Sequence, residues 1–90
     1  MMQIETIILN WMPGVENVPL SVMAHPFSVY VRNGVLTVGV FEDPDAMARY
    51  RGVDFVKLKS GDTVSAIIFK KTFLGTVQHP SGETLHIWTD

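Results

Sequence analysis

No cysteine occurs anywhere in this chain, which excludes a disulfide framework and any thiolate metal site. Charge is scarce as well: 18% of the residues are charged and the net charge is −2 with histidine neutral. Such a balance gives no global attraction to a phosphate backbone. No apolar run approaches the roughly 18 residues that a membrane-spanning helix needs, and Pro13, Pro19 and Pro26 interrupt the first third of the chain. Glu5, Thr6 and Asn10 break the N-terminal apolar stretch, so no signal peptide is expected and the cytosol is the default compartment. No glycine-rich phosphate loop precedes a helix, and Ser21, Ser28, Ser60, Ser65 and Ser81 stand in no nucleophile elbow. Catalysis is therefore not expected, nor is a cofactor.

What remains is a composition that folds. A hydrophobic fraction of 47% over 90 residues makes one domain, residues 1–90, large enough to bury roughly 60–65% of its unfolded surface. The expected stability is on the order of 5–10 kcal/mol. Short β-prone runs alternate with Gly, Pro or Asn punctuation: Gln3–Leu9, about Val15–Leu20, Pro26–Arg32, Val35–Phe41, Val53–Lys59, Thr63–Phe69, Thr72–Gln78 and Glu83–Trp88. About 6–8 short strands at this spacing predict an all-β fold, a small antiparallel sandwich or partly open barrel. At most one short helical turn is expected, near residues 44–50, with Asp43 as cap and Pro44 at the first helical position.

Two hairpins have a readable register. Asn33-Gly34 suits a two-residue type I′ loop, whose central positions both need positive φ. Pairing Arg32 with Val35 then sets Val31 opposite Leu36, Val29 opposite Val38 and Phe27 opposite Val40, an apolar face assigned to the core. Tyr30, Ser28 and Thr37 fall on the other side. In the second hairpin, Pro80-Ser81-Gly82 forms a three-residue loop with Gly82 left-handed. His79 pairs with Glu83, Val77 with Leu85 and Gly75 with Ile87, and Phe73 continues that core face. His86 and Trp88 take the opposite face, beside Thr76 and Leu74.

The order of these pieces resembles a family of small uncharacterised proteins found largely in tailed bacteriophages. The likeness runs through Ile4–Leu9, the Asn33-Gly34 hairpin, Asp43-Pro44-Asp45-Ala46, the run Phe73–Gln78 and the ending His86-Ile87-Trp88. Its specific parts are Leu74–Gln78 and His86–Trp88, and Val53–Lys71 departs from it. The resemblance implies a phage setting and a host-cytoplasmic location, and no catalytic residue.

Candidate chemistry is sparse. His25, His79 and His86 match no zinc spacing, and His25 and His79 precede prolines expected in turns, so no metal site is assigned. Glu42, Asp43 and Asp45 lack the further oxygen ligands of a calcium loop, and capping accounts for Asp43 and Asp45. Arg49, Arg51, Lys57, Lys59, Lys70 and Lys71 gather basic charge in the second half. Lys57 and Lys59 share one face of their strand, where a solvated outer face accounts for them; single-stranded nucleic-acid binding is the weakest of the readings. Trp11-Met12-Pro13-Gly14 sets an aromatic and a methionine in a loop, either as an adaptable contact patch or as a plug for one end of the core. The residues singled out for binding are His86, Trp88, Tyr30, Thr76 and Trp11. Two classes of function follow. The first is a small non-enzymatic accessory protein acting through protein–protein contact, on a host factor or a virion component. The second is a small-ligand-binding module with a pocket at His86, Trp88, Tyr30 and a basic side chain. Open sheet edges favour a homodimer over a monomer.

Overall fold

The computed structural model describes residues 1–45 and 49–90. Seven strands form among them: β1 (Gln3–Leu9), β2 (Gly14–Ser21), β3 (His25–Arg32), β4 (Val35–Glu42), β5 (Tyr50–Lys59), β6 (Thr72–Gln78) and β7 (Thr84–Thr89). They make two antiparallel sheets, one in the order β1-β4-β3 and one in the order β2-β5-β7-β6. The inner faces meet in one core. Leu9, Leu36, Val38 and Val40 come from the first sheet; Leu20, Val53, Phe55, Val77, Leu85 and Ile87 come from the second. The two sheets approach along one flank, where the edge strands β3 and β6 lie against each other. The fold is an all-β sandwich with no closed barrel.

Local turn chemistry places both hairpins as the sequence predicts. Asn33 and Gly34 sit at φ 51° and 77°, and Arg32–Val35, Val31–Leu36 and Val29–Val38 pair across the loop. In the second hairpin the His79 amide donates to the Glu83 carbonyl at 2.7 Å, and the Gly82 amide donates to the His79 carbonyl at 2.8 Å. Val77 then faces Leu85, and Gly75 faces Ile87.

Bulges overturn the expectation one step further out in each hairpin. The register of β3 shifts between Pro26 and Ser28, so that Pro26 rather than Phe27 faces Val40. Phe27 is expelled from the core face and stacks on Phe41, ring centroids 4.0 Å apart. It lies over Gly39, where an added Cβ would sit 3.1 Å from the Phe27 ring. Val31, also assigned to the core, is exposed at the end of the edge strand β3. In β6 the shift falls between Phe73 and Gly75 and puts Phe73 opposite Trp88. Leu74 therefore packs against the core and Phe73 does not; a bulge exchanges the faces of the residues beside it.

Thr63–Phe69 is not a strand. Ala66–Lys70 forms a 3-10 helix started by Ser65, whose Oγ accepts the Ile67 amide. Of Ile67, Ile68 and Phe69, only Ile68 is buried. A single turn lets that one side chain reach the sheet and crosses from β5 to β6 in few residues. Of the helical turn expected near residues 44–50, Ala46, Met47 and Ala48 lie outside the described residues. Pro44 and Asp45 form a turn, Tyr50 opens β5, and Asp43 Oδ1 accepts the Asp45 amide at 3.0 Å. His25 begins β3 instead of occupying a turn.

Candidate functional site

Period-two alternation along β7 sends Leu85, Ile87 and Thr89 inward, and sends His86 and Trp88 to the outer face of the four-stranded sheet. Register then assembles a row across the sheet. Val15 on β2 faces Val56 on β5, Val56 faces Trp88 on β7, and Trp88 faces Phe73 on β6. The Phe73 and Trp88 rings stand 5.1 Å apart at 57°, within the range of favourable aromatic pairs. Phe73 keeps 53% of its surface open, so the pair presents apolar area outward.

The 3-10 helix borders this row and makes a groove of about 230 Å³ with the sheet, lined by Val15, Val56, Leu58, Val64, Ile67 and Ile68. Lys71 closes one side of it. Its ammonium is bound to the Asp90 carboxylate, whose other oxygen accepts the Asp54 amide at 2.9 Å. These contacts hold the Asp90 carboxyl below its ordinary value of 3.8, the Lys71 hydrogen bond most of all, then the Asp54 amide. The same hydrogen bond raises Lys71 above 10.5 against an opposing desolvation.

On the other side of the row, Leu58 faces His86 and His86 faces Thr76. Both ring nitrogens of His86 have partners: Nε2 meets Ser60 Oγ at 2.9 Å, and Nδ1 meets Thr76 Oγ1 at 3.0 Å. One nitrogen donates and the other accepts in a neutral ring, and a hydroxyl can serve either. A metal or an external ligand would have to displace one of these hydroxyls to reach the ring. No group of three His, Asp or Glu side chains able to hold a metal ion forms among the described residues.

No known protein family, curated protein or solved structure matches this chain. The site is therefore defined by its own geometry.

The structure brings His86, Trp88 and Thr76 together and leaves Tyr30 and Trp11 elsewhere. Tyr30 faces Thr37 on the outer side of the other sheet, and has no hydrogen bond or ring contact with His86 or Trp88 among the described residues. Sequence alternation fixes the face of a hairpin and not the layer that the hairpin joins. Trp11 plugs one end of the sandwich. Its Nε1 donates to the Gly34 carbonyl at 3.1 Å, and its ring meets His79 edge-on at 5.2 Å, tying the two hairpin loops together.

Three of the six basic side chains in the second half of the chain are engaged by partners within the molecule. Lys59 is paired with Glu83 at 3.3 Å, Lys71 with Asp90, and Lys57 is not on a solvated face at all. Only 1% of its side chain is exposed. Its ammonium donates to the Asn10 carbonyl and Asn10 Oδ1, each at 2.8 Å, and to Glu16 Oε1 at 2.6 Å. Glu16 also accepts the Asn10 amide at 3.0 Å. This buried node fastens the β1–β2 connection, and so Trp11, to the middle of the second sheet. Its signal was available: Lys57 continues the inward row Val53, Phe55. Phe73 was missed as a surface residue because a bulge has no local sequence signature as strong as a turn's.

Proposed function

We propose that this is a small non-enzymatic accessory protein that acts through protein–protein contact, and that the outer face of the four-stranded sheet is the contact surface. The observation that carries this reading is the row Val15–Val56–Trp88–Phe73 with the apolar groove beside it. Aromatic side chains displayed on a rigid sheet, next to a slot for an apolar side chain, have the composition of interface hot spots. The volume of this groove supports a polypeptide occupant over a small ligand. Small-molecule sites usually span about 300–1,000 Å³, and a groove of about 230 Å³ accommodates one or two side chains of a partner. The full engagement of His86 supports a structural role for it within that surface. The resemblance to small phage proteins supports a phage setting, with a host factor or virion component as the partner and the host cytoplasm as the location.

The test is retention of polypeptide from a bacterial host extract on the immobilised protein, quantified by mass spectrometry. A specific polypeptide should be retained by wild type and by Tyr30→Ala, and lost with Trp88→Ala or Phe73→Ala at unchanged melting temperature. Equal retention by all variants refutes the assigned surface. A small molecule released from native wild type and absent from Trp88→Ala favours the ligand-binding alternative.

A further inference from the structure

Four strands stand at sheet edges, β1 and β3 in one sheet and β2 and β6 in the other. A free edge offers unpaired backbone groups to any passing strand, and proteins blunt such edges with proline, bulges, inward-turned charge or cover. Three of the four are blunted here. β2 carries Pro19, which has no amide to donate. β3 carries Pro26 and the bulge at Phe27, and it lies against β6. β6 is bulged between Phe73 and Gly75.

β1 has no proline, bulge or, among the described residues, covering strand; its one such device is Glu5, which shares the core-facing parity of Ile7 and Leu9 and stays exposed at the rim. The strand pairs with β4 without interruption from Gln3 to Leu9, and contains no proline, glycine or basic residue. Among the described residues no strand covers its other edge. Two of its outward side chains are apolar and open, Ile4 at 62% and Ile8 at 69% exposure, with Thr6 exposed between them.

We infer that the free edge of β1 pairs antiparallel with β1 of a second copy about a two-fold axis through Thr6, making one continuous six-stranded sheet. This edge is a different surface from the aromatic face assigned above, and the pairing does not depend on that face.

Three observations select this occupant and register. A two-fold antiparallel ladder must be centred on a residue, because only residues of like parity point their backbone groups the same way. Thr6 is the midpoint of Gln3–Leu9, so this centre alone pairs the whole strand. It sets Ile4 against the partner's Ile8, and Thr6 against the partner's Thr6, both favourable cross-strand pairs. It also separates the only charged side chain of β1. Centring on Glu5 would oppose two carboxylates directly, whereas the Thr6 centre places each Glu5 opposite an Ile7 and about 7–8 Å diagonally from its counterpart. Within each copy the Gln3 side-chain amide donates to Glu5, which further occupies that carboxylate. A centre on Ile7 leaves Gln3 and Ile4 unpaired.

One strand per copy is a small interface, so a dissociation constant on the order of 10 μM is expected. Sedimentation equilibrium across that concentration should show a mass rising from one toward twice the chain mass for wild type and staying at the chain mass for Ile8→Lys, with the same melting temperature at a concentration where both are monomeric. The double variant Ile4→Glu/Ile8→Lys should return to twice the chain mass, because the carboxylate introduced in each copy then faces the ammonium introduced in the other. The absence of native cysteine permits a register test. Thr6→Cys should form a disulfide-linked dimer on mild oxidation, since directly opposed strand residues fall within disulfide reach, and Ile4→Cys should not. A wild type that stays monomeric well above this concentration, a dimer indifferent to Ile8→Lys, or equal cross-linking of the two cysteine variants overturns the inference. Loss of partner retention in Trp88→Ala with the mass unchanged belongs to the other surface.

Discussion

Glu16→Gln isolates the energetic weight of the buried Lys57 node. The ammonium has three donors and three acceptors within 2.8 Å: the Asn10 carbonyl, Asn10 Oδ1 and Glu16 Oε1. Glutamine keeps the shape and the oxygen that accepts the Asn10 amide, and removes the only countercharge. Removing one partner of a fully buried ion pair costs about 3–5 kcal/mol. Glu16 is 21% exposed, so water can replace part of the lost interaction, and we expect about 2–3 kcal/mol. At about 4–8 °C per kcal/mol for a domain of this size, the melting temperature should fall by roughly 8–24 °C, with the domain still folded at room temperature. Lys57→Met should be milder, below about 1.5 kcal/mol, because its thioether fills the apolar end of the row Val53–Phe55 and the Glu16 carboxylate can turn to water. The double variant should resemble Lys57→Met, giving a coupling of about 2–3 kcal/mol, the whole cost of Glu16→Gln. Thermal melts of the four proteins followed by far-UV circular dichroism measure this cycle. In a Trp88→Phe background, Trp11 fluorescence should report a loosened β1–β2 connection in Glu16→Gln alone. A fall of less than about 3 °C for Glu16→Gln, or a double variant less stable than Glu16→Gln, refutes the argument that an uncompensated buried charge sets the cost.

Three further outcomes follow from single contacts. Thr89 is buried and its hydroxyl has no hydrogen-bond partner among the described residues, so Thr89→Val should raise stability by about 1 kcal/mol in urea titration; a loss would reveal a partner for that hydroxyl. A Cβ at Gly75 would stand 2.9 Å from Val29 Cγ1. Gly75→Ala should therefore cost about 1–3 kcal/mol, and Val29→Ala in the same chain should be less than additive with it; strict additivity would mean that the two do not touch. Asp90 is held below 3.8 in the folded chain, so its contribution is complete above that value and is lost as pH falls through the depressed one. The gap in melting temperature between wild type and Lys71→Met should accordingly shrink on going from about pH 7 to about pH 2, and a gap that widens on acidification reverses the sign of the linkage.

Turn chemistry is the part of this fold that the sequence specifies most directly. Asn33-Gly34 and Pro80-Ser81-Gly82 each determine a loop length, and loop length determines which residues face each other. The limits of that reasoning appear where register depends on contacts beyond the loop. Phe27 leaves the core because Gly39 gives its ring room to reach Phe41, and Phe73 leaves it to meet Trp88; neither neighbour adjoins it in sequence. Tyr30 and His86 were each placed on the correct side of a hairpin, yet the hairpins belong to different sheets. Lys57 shows the converse. Its inward direction follows from period two, but burying it requires Glu16, 41 residues away, and the Asn10 carbonyl. A charge is assigned to solvent until such partners are known.

The two bulges join these observations to the surface. Each one interrupts an edge strand, which removes that edge as a template for another chain, and each one also turns a phenylalanine from the core to the outside. Edge protection and aromatic display are thus the same local event, on β3 at Phe27 and on β6 at Phe73. Phe73 completes the row on the four-stranded sheet, where the ion pair of Lys71 and Asp90 borders it and gives a partner polar groups to orient against. β1 has no bulge and no displayed aromatic, and keeps an unbroken ladder instead. In the reading proposed above, contact through side chains is assigned to the four-stranded sheet and pairing through backbone to β1. Substitutions at Trp88 and at Ile8 should act on two associations that are separable from each other and from folding.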